Sequence, residues 1–309
     1  YDSLRNKIMP LSDDLIVYPN HGAGSACGKN MSKETTDTLG HQKEVNYALN
    51  PALNKEEFIK AILTGLTPPP GYFPKNVLMN IQGYESLDTV LERGHKALTA
   101  ENFEMVANET NALVLDTRNA TDFANGFIPN SINIGLDGSF AQWVGEMIPD
   151  IKQEILLVSN PGYEDEAMIR LSRVGYDGSI GYLEGGFDAW KKAGKEVDTV
   201  KRITAEQFAT IHENEKPLTI DIRKKSEFQS QHITDAVNIP LNEINNHLAE
   251  FPKDKPFILH CAGGYRSMIA ASMLKQRGWD NFSDVIGGFT KIAKTNVPKS
   301  EYICPSTML

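Results

Sequence analysis

One of the three cysteines in this 309-residue chain stands where its neighbours could make it a nucleophile. Cys261 directly follows the apolar run 257–260 and precedes a helical pattern over 266–276. The residues that could form a loop around its sulfur are Ala262, Gly263, Gly264, Tyr265 and Arg266. A strand, a glycine-containing turn and a helix are therefore expected to surround this side chain.

Three features of this loop favour an ionised thiol. Backbone N–H groups and the positive end of the helix dipole face a cysteine in this position, and Arg266 adds a full positive charge. Gly263 and Gly264 allow the backbone to curl around the sulfur without Cβ clashes. Because the thiolate is the nucleophilic form, we expect Cys261 to attack a substrate; a buried structural cysteine is the alternative.

An internal repeat supplies the elements that must position this loop. Residues 113–118 match 218–223 at an offset of 105, and residues 185–187 match 287–289 at an offset of 102. A match at nearly constant offset along most of each copy indicates a duplication. The period is too long for a solenoid, so each copy is predicted to be a small domain.

Strand and helix patterns alternate in the second copy. Thr204 with Gln207 predicts a capping box that opens a helix ending near Glu213. Further strands are predicted at 218–222, 236–239 and 257–260, and helices at 241–251 and at 266–276 before Gly278. Such alternation predicts a parallel sheet covered on both faces, with the active site at the carboxyl ends of the strands.

Three motifs carry a resemblance to a known family: Cys261-x-x-Gly264-x-Arg266, Asp221-x-Arg223 and Gly287-Gly288-Phe289. They resemble the rhodanese family of sulfurtransferases, over about residues 95–300 and most strongly in the second copy. The resemblance implies that Cys261 carries a sulfane sulfur as a persulfide and passes it to a thiol, sulfite or cyanide without a cofactor. The amides of residues 262–266 would hold the terminal sulfur, and Asp221 and Arg223 are expected to be scaffold near the site.

The segment around Cys261 also resembles a second family. His260-Cys261 with Arg266-Ser267 is similar to the cysteine phosphatase signature, but only four residues separate Cys261 from Arg266, where that signature has five. A shorter loop fits one extra sulfur atom better than the three equatorial oxygens of a phosphate. We expect sulfur transfer; a cysteine-dependent phosphatase of rhodanese-like fold and a non-catalytic sulfur-carrier or redox-sensing module are the alternatives.

The first copy lacks the nucleophile. No cysteine lies between residues 28 and 260, and Glu164, Asp165 and Glu166 occupy the loop region in which the second copy has Arg266. Negative charge there would repel an anionic sulfur donor. The first copy is therefore predicted to keep the fold without the reaction.

The first 90 residues resemble a different fold. Residues 17–29, with 38–40 and 70–73, are similar to the last part of a metallo-β-lactamase domain, and most similar to persulfide dioxygenases fused to rhodanese domains. The resemblance implies that His21 belongs to a metal-site region for Fe(II) or Zn. It also implies that persulfide oxidation to sulfite is coupled to thiosulfate formation at Cys261. The motif that supplies the first metal ligands is absent, so we expect a missing N-terminal half and no catalytic iron in this chain alone.

Local patterns in this region predict a strand at 14–18, a helix at 38–49 and a helix capped by Asn54 that runs to Ile62. It has too few apolar segments for a complete core of its own. The sequence assigns no role to Cys27 or Cys304.

Composition narrows the partners and the compartment. The formal net charge of −9 argues against nucleic acid and anionic membranes as partners. No apolar run approaches the ~20 residues of a membrane span. Three widely spaced cysteines fit a reducing, bacterial-type cytoplasm. The rhodanese resemblance implies a low-molecular-weight thiol persulfide, thiosulfate or sulfite as partners, and the chain could form a homo-oligomer.

The sequence therefore predicts an α/β chain with two rhodanese-like parallel-sheet domains, preceded by the C-terminal portion of a metallo-β-lactamase (αββα) domain. The predicted boundaries are 1–90 for the metallo-β-lactamase-like part, 95–198 for the inactive rhodanese-like domain, 201–300 for the catalytic one and 301–309 for a tail.

Overall fold

A computed structural model describes residues 1–19, 35–64 and 72–303 of the chain. The described residues fall into two compact units, one made of 1–19 and 35–64 and the other of 72–303. The predictions for His21, Cys27 and Cys304 lie outside the described residues. Within the described ranges, no helix is both long enough and apolar enough to cross a membrane.

The first unit contains short elements set by local hydrogen bonds. They are β1 (Ile16–Val17), β2 (Asp37–Thr38), α1 (Leu39–Val45), a 3-10 helix (Tyr47–Leu49) and α2 (Lys55–Leu63), after a π-helical turn at Leu4–Ile8. The β1 and β2 strands pair antiparallel. Asn54 caps α2 through a capping box with Glu57, as its position predicts. The helix predicted over 38–49 is interrupted because the extended backbone of Asn46 ends α1 and its side chain caps the 3-10 turn.

Few apolar side chains of this unit are buried. Among its described residues only Leu39, Leu49 and Phe58 belong to the buried core, whereas Ile16, Leu63 and other large apolar side chains are exposed. This distribution agrees with the expectation that the region has no complete core of its own.

The second unit begins with two helices and the sheet of the first repeat copy. Its elements are α3 (Phe73–Gln82), α4 (Leu87–Gly94), β3 (Ala97–Leu98), α5 (Ala100–Glu109), β4 (Leu113–Asp116), α6 (Ala120–Asn125), β5 (Ile132–Asn133), α7 (Phe140–Met147), β6 (Ile155–Val158), α8 (Glu164–Ser172), β7 (Ser179–Leu183) and α9 (Gly186–Lys192). Within residues 72–200, five parallel strands form a sheet in the order β3-β7-β6-β4-β5.

The second copy repeats this arrangement. Its elements are β8 (Arg202–Ile203), α10 (Ala205–Glu215), β9 (Leu218–Asp221), α11 (Lys225–Ser230), β10 (Val237–Asn238), 3-10 helices at Leu241–Asn246 and Leu248–Glu250, β11 (Phe257–His260), α12 (Tyr265–Gln276), β12 (Phe282–Val285) and α13 (Gly288–Ile292). The sheet order over 201–300, all of it described, is β8-β12-β11-β9-β10, and every pairing is parallel. The same order in both copies confirms the predicted duplication and the α/β fold class.

Local sequence signals explain where helices of the second copy begin and end. Thr204 and Gln207 form both hydrogen bonds of the capping box that opens α10. Gly278, with φ +81°, follows the end of α12, where a left-handed residue terminates helices. The helix predicted over 241–251 was wrong in type: the segment forms two short 3-10 helices, with His247 between them at a non-helical backbone angle.

The two repeat copies pack against each other through α12. The backbone N–H of Asn133, in β5, donates to Ser272 Oγ at 3.0 Å, and Gln276 Nε2 donates to the carbonyl of Asn130 at 3.1 Å. Apolar side chains of both domains form one continuous buried cluster. The helix that carries the cysteine loop is therefore fixed by both copies.

Candidate active site

Cys261 lies at the carboxyl end of β11, in the middle of the second sheet, and its loop leads directly into α12. The residue is 1% exposed, and its Sγ accepts a hydrogen bond from the N–H of Gly264 at 3.1 Å. Gly264 is the N-cap residue of α12. The sulfur therefore lies where a backbone donor and the helix dipole both stabilise negative charge.

The start of α13 holds the same loop from the other side. The N–H of Phe289 donates to the carbonyl of Cys261 at 2.7 Å, and the N–H of Thr290 donates to the carbonyl of Ala262 at 3.0 Å. Gly288 makes this approach possible, because a Cβ at that position would lie 2.3 Å from the Cys261 carbonyl oxygen. Its φ of +52° also favours glycine. The Gly287-Gly288-Phe289 motif thus fixes the backbone of the nucleophile.

The two loop glycines have different roles, although the sequence suggested one role for both. Gly264 has φ +105°, a conformation that residues with a Cβ rarely adopt. A Cβ at Gly263 would meet nothing within 4 Å. Only Gly264 is required by backbone geometry, and Gly263 leaves open space beside the loop.

Arg266 pairs with a carboxylate, and its hydrogen bonds to Glu227 together with the charge of Cys261 raise the pKa of its guanidinium. Its Nη1 and Nη2 atoms donate to the two carboxylate oxygens of Glu227, in α11, at 2.6 and 2.8 Å. This two-point ion pair ties the first turn of α12 to α11. The positive charge expected from the sequence is therefore largely balanced by Glu227.

The Arg266–Glu227 pair predicts a contribution to stability that disappears in acid. Burial alone would raise the pKa of Glu227, but the hydrogen bonds and charge of Arg266 outweigh burial and lower the pKa below its usual 4.5. A depressed folded-state pKa stabilises the fold above the unfolded pKa, and this stabilisation is lost as the pH falls through the folded pKa. We expect Glu227→Gln to lower the free energy of unfolding by ~1–2 kcal/mol at about pH 7 and by much less at about pH 3.

Urea denaturation at several pH values measures this difference. The matched control is Asp122→Asn in the first domain, because Asp122 stands at the position equivalent to Glu227 but accepts a hydrogen bond from Asn119 instead of an arginine. If Glu227→Gln lowered the free energy of unfolding by the same amount at both pH values, that result would contradict the prediction.

Asp221 and Arg223 form a buried support beneath the loop. The Arg223 guanidinium donates to both Asp221 oxygens at 2.7–3.0 Å and to the carbonyl of Gln231 at 2.8 Å. Its Cζ lies 3.9 Å from the ring centroid of Phe289. These contacts join the end of β9 to α13, and the scaffold role of both residues stays a prediction.

Two further titratable groups lie buried near the loop. His260 Nδ1 lies 3.2 Å from the carbonyl oxygen of Cys261, and burial lowers the pKa of this histidine. Asp284 accepts a hydrogen bond from Arg202 Nε at 3.0 Å, and burial raises the pKa of this aspartate to about 6. Arg202 thus pairs with a carboxylate, as Arg223 and Arg266 do.

The first domain contributes a contact to the cysteine loop. Tyr265 Oη donates to the carbonyl of Gly135 at 2.7 Å, and a Cβ at Gly138 would lie 2.3 Å from the Tyr265 ring. Burial raises the pKa of Tyr265, so its hydroxyl stays a donor. Arg170 donates to the carbonyl of Leu136 at 2.6 Å, which holds this turn of the first domain in place.

This contact predicts that the first domain positions the cysteine loop and so influences the reaction expected at Cys261. Tyr265→Phe removes one hydrogen bond and is expected to lower kcat/KM by about three- to tenfold. Gly138→Ala would displace the Tyr265 ring and is expected to have a larger effect on kcat. The control is Tyr163→Phe, because Tyr163 is the equivalent tyrosine of the first domain and is 52% exposed.

Initial rates and melting temperatures together check this prediction. Loss of turnover at unchanged melting temperature supports positioning of the loop. Unchanged kinetic constants in Gly138→Ala would contradict it.

The first domain carries a serine at the position of the nucleophile. The offset of 102 that aligns β6 with β11 places Ser159 on Cys261 and Glu164 on Arg266. Ser159 Oγ lies 2.8 Å from Thr117 Oγ1, and the N–H of Gly162 donates to Glu164 Oε2 at 2.8 Å. The same offset identifies Ser159 from the sequence alone as the residue in place of the missing cysteine.

Glu227 was also missed from the sequence. An acidic residue recurs at an offset of 105, Asp122 in the first copy and Glu227 in the second, but that pattern alone does not reveal the arginine partner. The pairing depends on how α11 and α12 lie in the folded domain.

The metal prediction concerns His21 and is not tested by the described residues. Residues 1–19, 35–64 and 72–303 contain no group of three or more His, Cys, Asp or Glu side chains placed to hold a metal ion. His21 lies outside these ranges. The described residues do not fit a metal centre, and we derive no step through one.

Comparisons with known proteins agree with the geometry. A family model described as Rhodanese-like domain matches residues 99–193 and 204–295, which contain four of the five strands of each sheet and the cysteine loop. The chain therefore belongs to the rhodanese-like family and contains two such domains.

Two curated relatives match a stretch about as long as one of these domains. One, named thiosulfate sulfurtransferase GlpE from Pseudomonas savastanoi pv. phaseolicola, is 36% identical over 29% of this chain and 83% of its own length. The other, named sulfurtransferase from Allochromatium vinosum, is 30% identical over 32% of this chain and 94% of its own length. A solved structure of a metallo-beta-lactamase from Staphylococcus aureus is 30% identical, with a TM-score of 0.44, over 59% of this chain and about half (48%) of its own.

Proposed function

We propose that this chain is a rhodanese-type sulfurtransferase that carries sulfane sulfur on Cys261. The observation that carries this proposal is the Sγ of Cys261 accepting the Gly264 N–H at 3.1 Å, inside a loop with four residues before Arg266. Membership of the rhodanese-like family and the names of the two curated relatives support the same activity.

The reaction has two displacement steps at sulfur. The Cys261 thiolate attacks the sulfane sulfur of the donor; the bond between that sulfur and the donor breaks, and the donor leaves with the electron pair, as sulfite from thiosulfate or as a thiolate from a thiol persulfide. A thiol, sulfite or cyanide then attacks the outer sulfur of the Cys261 persulfide and regenerates the thiolate. Backbone N–H groups of residues 262–266 stabilise the charge on the terminal sulfur.

Phosphate hydrolysis fits the site less well. A phosphatase loop uses its arginine to receive the substrate oxygens, whereas Arg266 is held by two hydrogen bonds to Glu227. The loop is also one residue shorter than the phosphatase signature. These two features favour the transfer of a single sulfur atom.

A steady-state assay with thiosulfate or a thiol persulfide as donor, and cyanide or sulfite as acceptor, tests the proposal. We expect many turnovers per chain and no hydrolysis of p-nitrophenyl phosphate. One burst of product per chain would indicate a sulfur carrier, and phosphate release without sulfur transfer would indicate a phosphatase. Either result would contradict the proposal.

The finer proposal concerns the acceptor. Sulfite formed by a metal-dependent persulfide dioxygenase would accept sulfur from Cys261 and give thiosulfate. It is supported by the sequence resemblance of residues 17–29, including His21, to the end of that domain. We expect this chain alone to carry less than stoichiometric iron, and metal analysis that finds one iron per chain would overturn this expectation.

A further inference from the structure

The first rhodanese-like domain retains the scaffold that supports the cysteine loop in the second. Arg118 donates to both oxygens of Asp116 at 2.6–3.1 Å and to the carbonyl of Gly126 at 2.8 Å. Its Cζ lies 4.1 Å from the ring centroid of Phe187, compared with 3.9 Å between Arg223 and Phe289. The support beneath the loop is therefore the same in both domains.

The loop backbone is retained at its two glycines, although Pro161, at the position of Gly263, has no N–H. Gly162 has φ +89°, close to the +105° of its equivalent Gly264. A Cβ at Gly186 would lie 2.7 Å from the carbonyl oxygen of Ser159, just as a Cβ at Gly288 would meet that of Cys261. Both loops thus require glycine at equivalent places, and both lead directly into a helix, α8 or α12.

The two loops differ in the acceptor that is bound by their central amide, the N–H of Gly264 in the second domain and of Gly162 in the first. In the second domain the N–H of Gly264 donates to the sulfur of Cys261. In the first domain the equivalent N–H, that of Gly162, donates to the carboxylate of Glu164 at 2.8 Å. The hydroxyl of Ser159 is turned instead to Thr117, with 2.8 Å between the two oxygens.

We propose that the first domain contains a latent sulfur-transfer site, built on the N–H of Gly162, which Glu164 holds closed. The Glu164 carboxylate accepts the Gly162 N–H, which would otherwise be free to hold a persulfide anion. The negative charge of this carboxylate also repels anionic donors. Ser159 supplies no thiol. Ser159 and Glu164 are therefore the two side chains whose replacement tests whether the loop can transfer sulfur.

The second domain shows what would open the site. Arg266 occupies the position of Glu164 and pairs with Glu227, and the first domain keeps an acidic residue, Asp122, at the position of Glu227. A Glu164→Arg substitution would remove the carboxylate from the loop and give the new guanidinium a partner in Asp122. A Ser159→Cys thiol forms only weak hydrogen bonds, so Thr117 is not expected to hold it.

The chemistry of the opened site is that proposed for Cys261, on which this inference rests. The introduced thiolate attacks the sulfane sulfur of thiosulfate, the bond between the two sulfurs breaks, and sulfite leaves with the electron pair. Cyanide then takes the outer sulfur as thiocyanate and returns the thiolate. The step needs no oxidant or reductant.

The experiment uses the full chain with Cys261→Ser as the background, thiosulfate as donor and cyanide as acceptor. We expect Ser159→Cys/Glu164→Arg to form thiocyanate at least about tenfold faster than Ser159→Cys alone. Intact and peptide mass spectrometry is expected to find one added sulfur on residue 159. The matched control is Ser159→Cys/Asp165→Arg. It makes the same change of charge, but Asp165 pairs with His95, whereas Glu164 accepts the N–H of the loop.

Each outcome decides the inference. Equal rates with and without Glu164→Arg would show that Glu164 does not close the site. No sulfur on residue 159 in the folded double variant, or in Ser159→Cys/Glu164→Ala if the arginine prevents folding, would show that the loop is not a latent site. The parent chain with Cys261 is assayed beside them: if it also transfers no sulfur, the proposed function fails, and if it is active while the variants are not, only this inference fails.

Discussion

Replacing Cys261 by serine is expected to lower the rate of sulfur transfer by about 10³-fold or more, because the reaction proceeds through this thiolate. Serine has nearly the same shape, and its hydroxyl can accept the Gly264 N–H that the sulfur accepts. A hydroxyl is not ionised near neutral pH and cannot form a persulfide. The fold should remain, while turnover with thiosulfate and cyanide disappears.

The chain offers a matched control for this variant. Ser159→Ala changes the equivalent position of the first domain, which lies at the end of β6. We expect this variant to keep the turnover of the parent chain. Sulfur transfer that survives in Cys261→Ser at the parent rate would refute the assignment of the nucleophile.

Gly288→Ala is expected to reduce sulfur transfer strongly without touching a substrate. A Cβ at this residue would lie 2.3 Å from the carbonyl oxygen of Cys261, and the φ of +52° disfavours alanine. The backbone of the loop must shift to relieve the clash, which moves the sulfur away from the Gly264 amide. We expect at least about a 10²-fold loss of kcat and a decrease of about 3 kcal/mol in the free energy of unfolding.

Gly186→Ala in the first domain distinguishes the effect on turnover from the effect on stability. The clash is similar, with 2.7 Å between the added Cβ and the carbonyl oxygen of Ser159. This variant is expected to lose stability but to keep most of its turnover. Steady-state rates and urea denaturation measured on both variants check the prediction, and equal losses of kcat in the two would contradict it.

The parts of the fold that the sequence predicted well depend on local signals. The capping box of Thr204 with Gln207 and the stop after α12 at Gly278 both act within one helical turn of the element they limit. The constant offset between the copies also predicted that the two sheets share one topology. Such signals need no knowledge of how distant segments meet.

The parts that the sequence did not predict depend on tertiary contacts. The loop arginine was expected to act on the sulfur, yet Arg266 reaches Glu227, 39 residues away. Tyr265 contacts Gly135, 130 residues away and in the other domain. Side-chain partners of this kind follow from the packing of α11, α12 and the turn before α7, which no local pattern specifies.

The two copies show how one scaffold supports two different loops. Asp116 with Arg118 and Asp221 with Arg223 form the same buried ion pair beneath them. The side chains on the loop decide whether the central amide meets a sulfur or a carboxylate. The buried ion pair is therefore shared by the two domains, whereas the contacts of the loop side chains differ.

Mass spectrometry of the intact chain, after exposure to a thiol persulfide under non-reducing conditions, tests the central claim most directly. Digestion then locates the modified peptide. We predict an increase equal to the mass of one sulfur atom, located on Cys261 and removed by cyanide. An unmodified Cys261 in chains that nevertheless turn over the donor, or sulfur found only on another residue, would contradict the account.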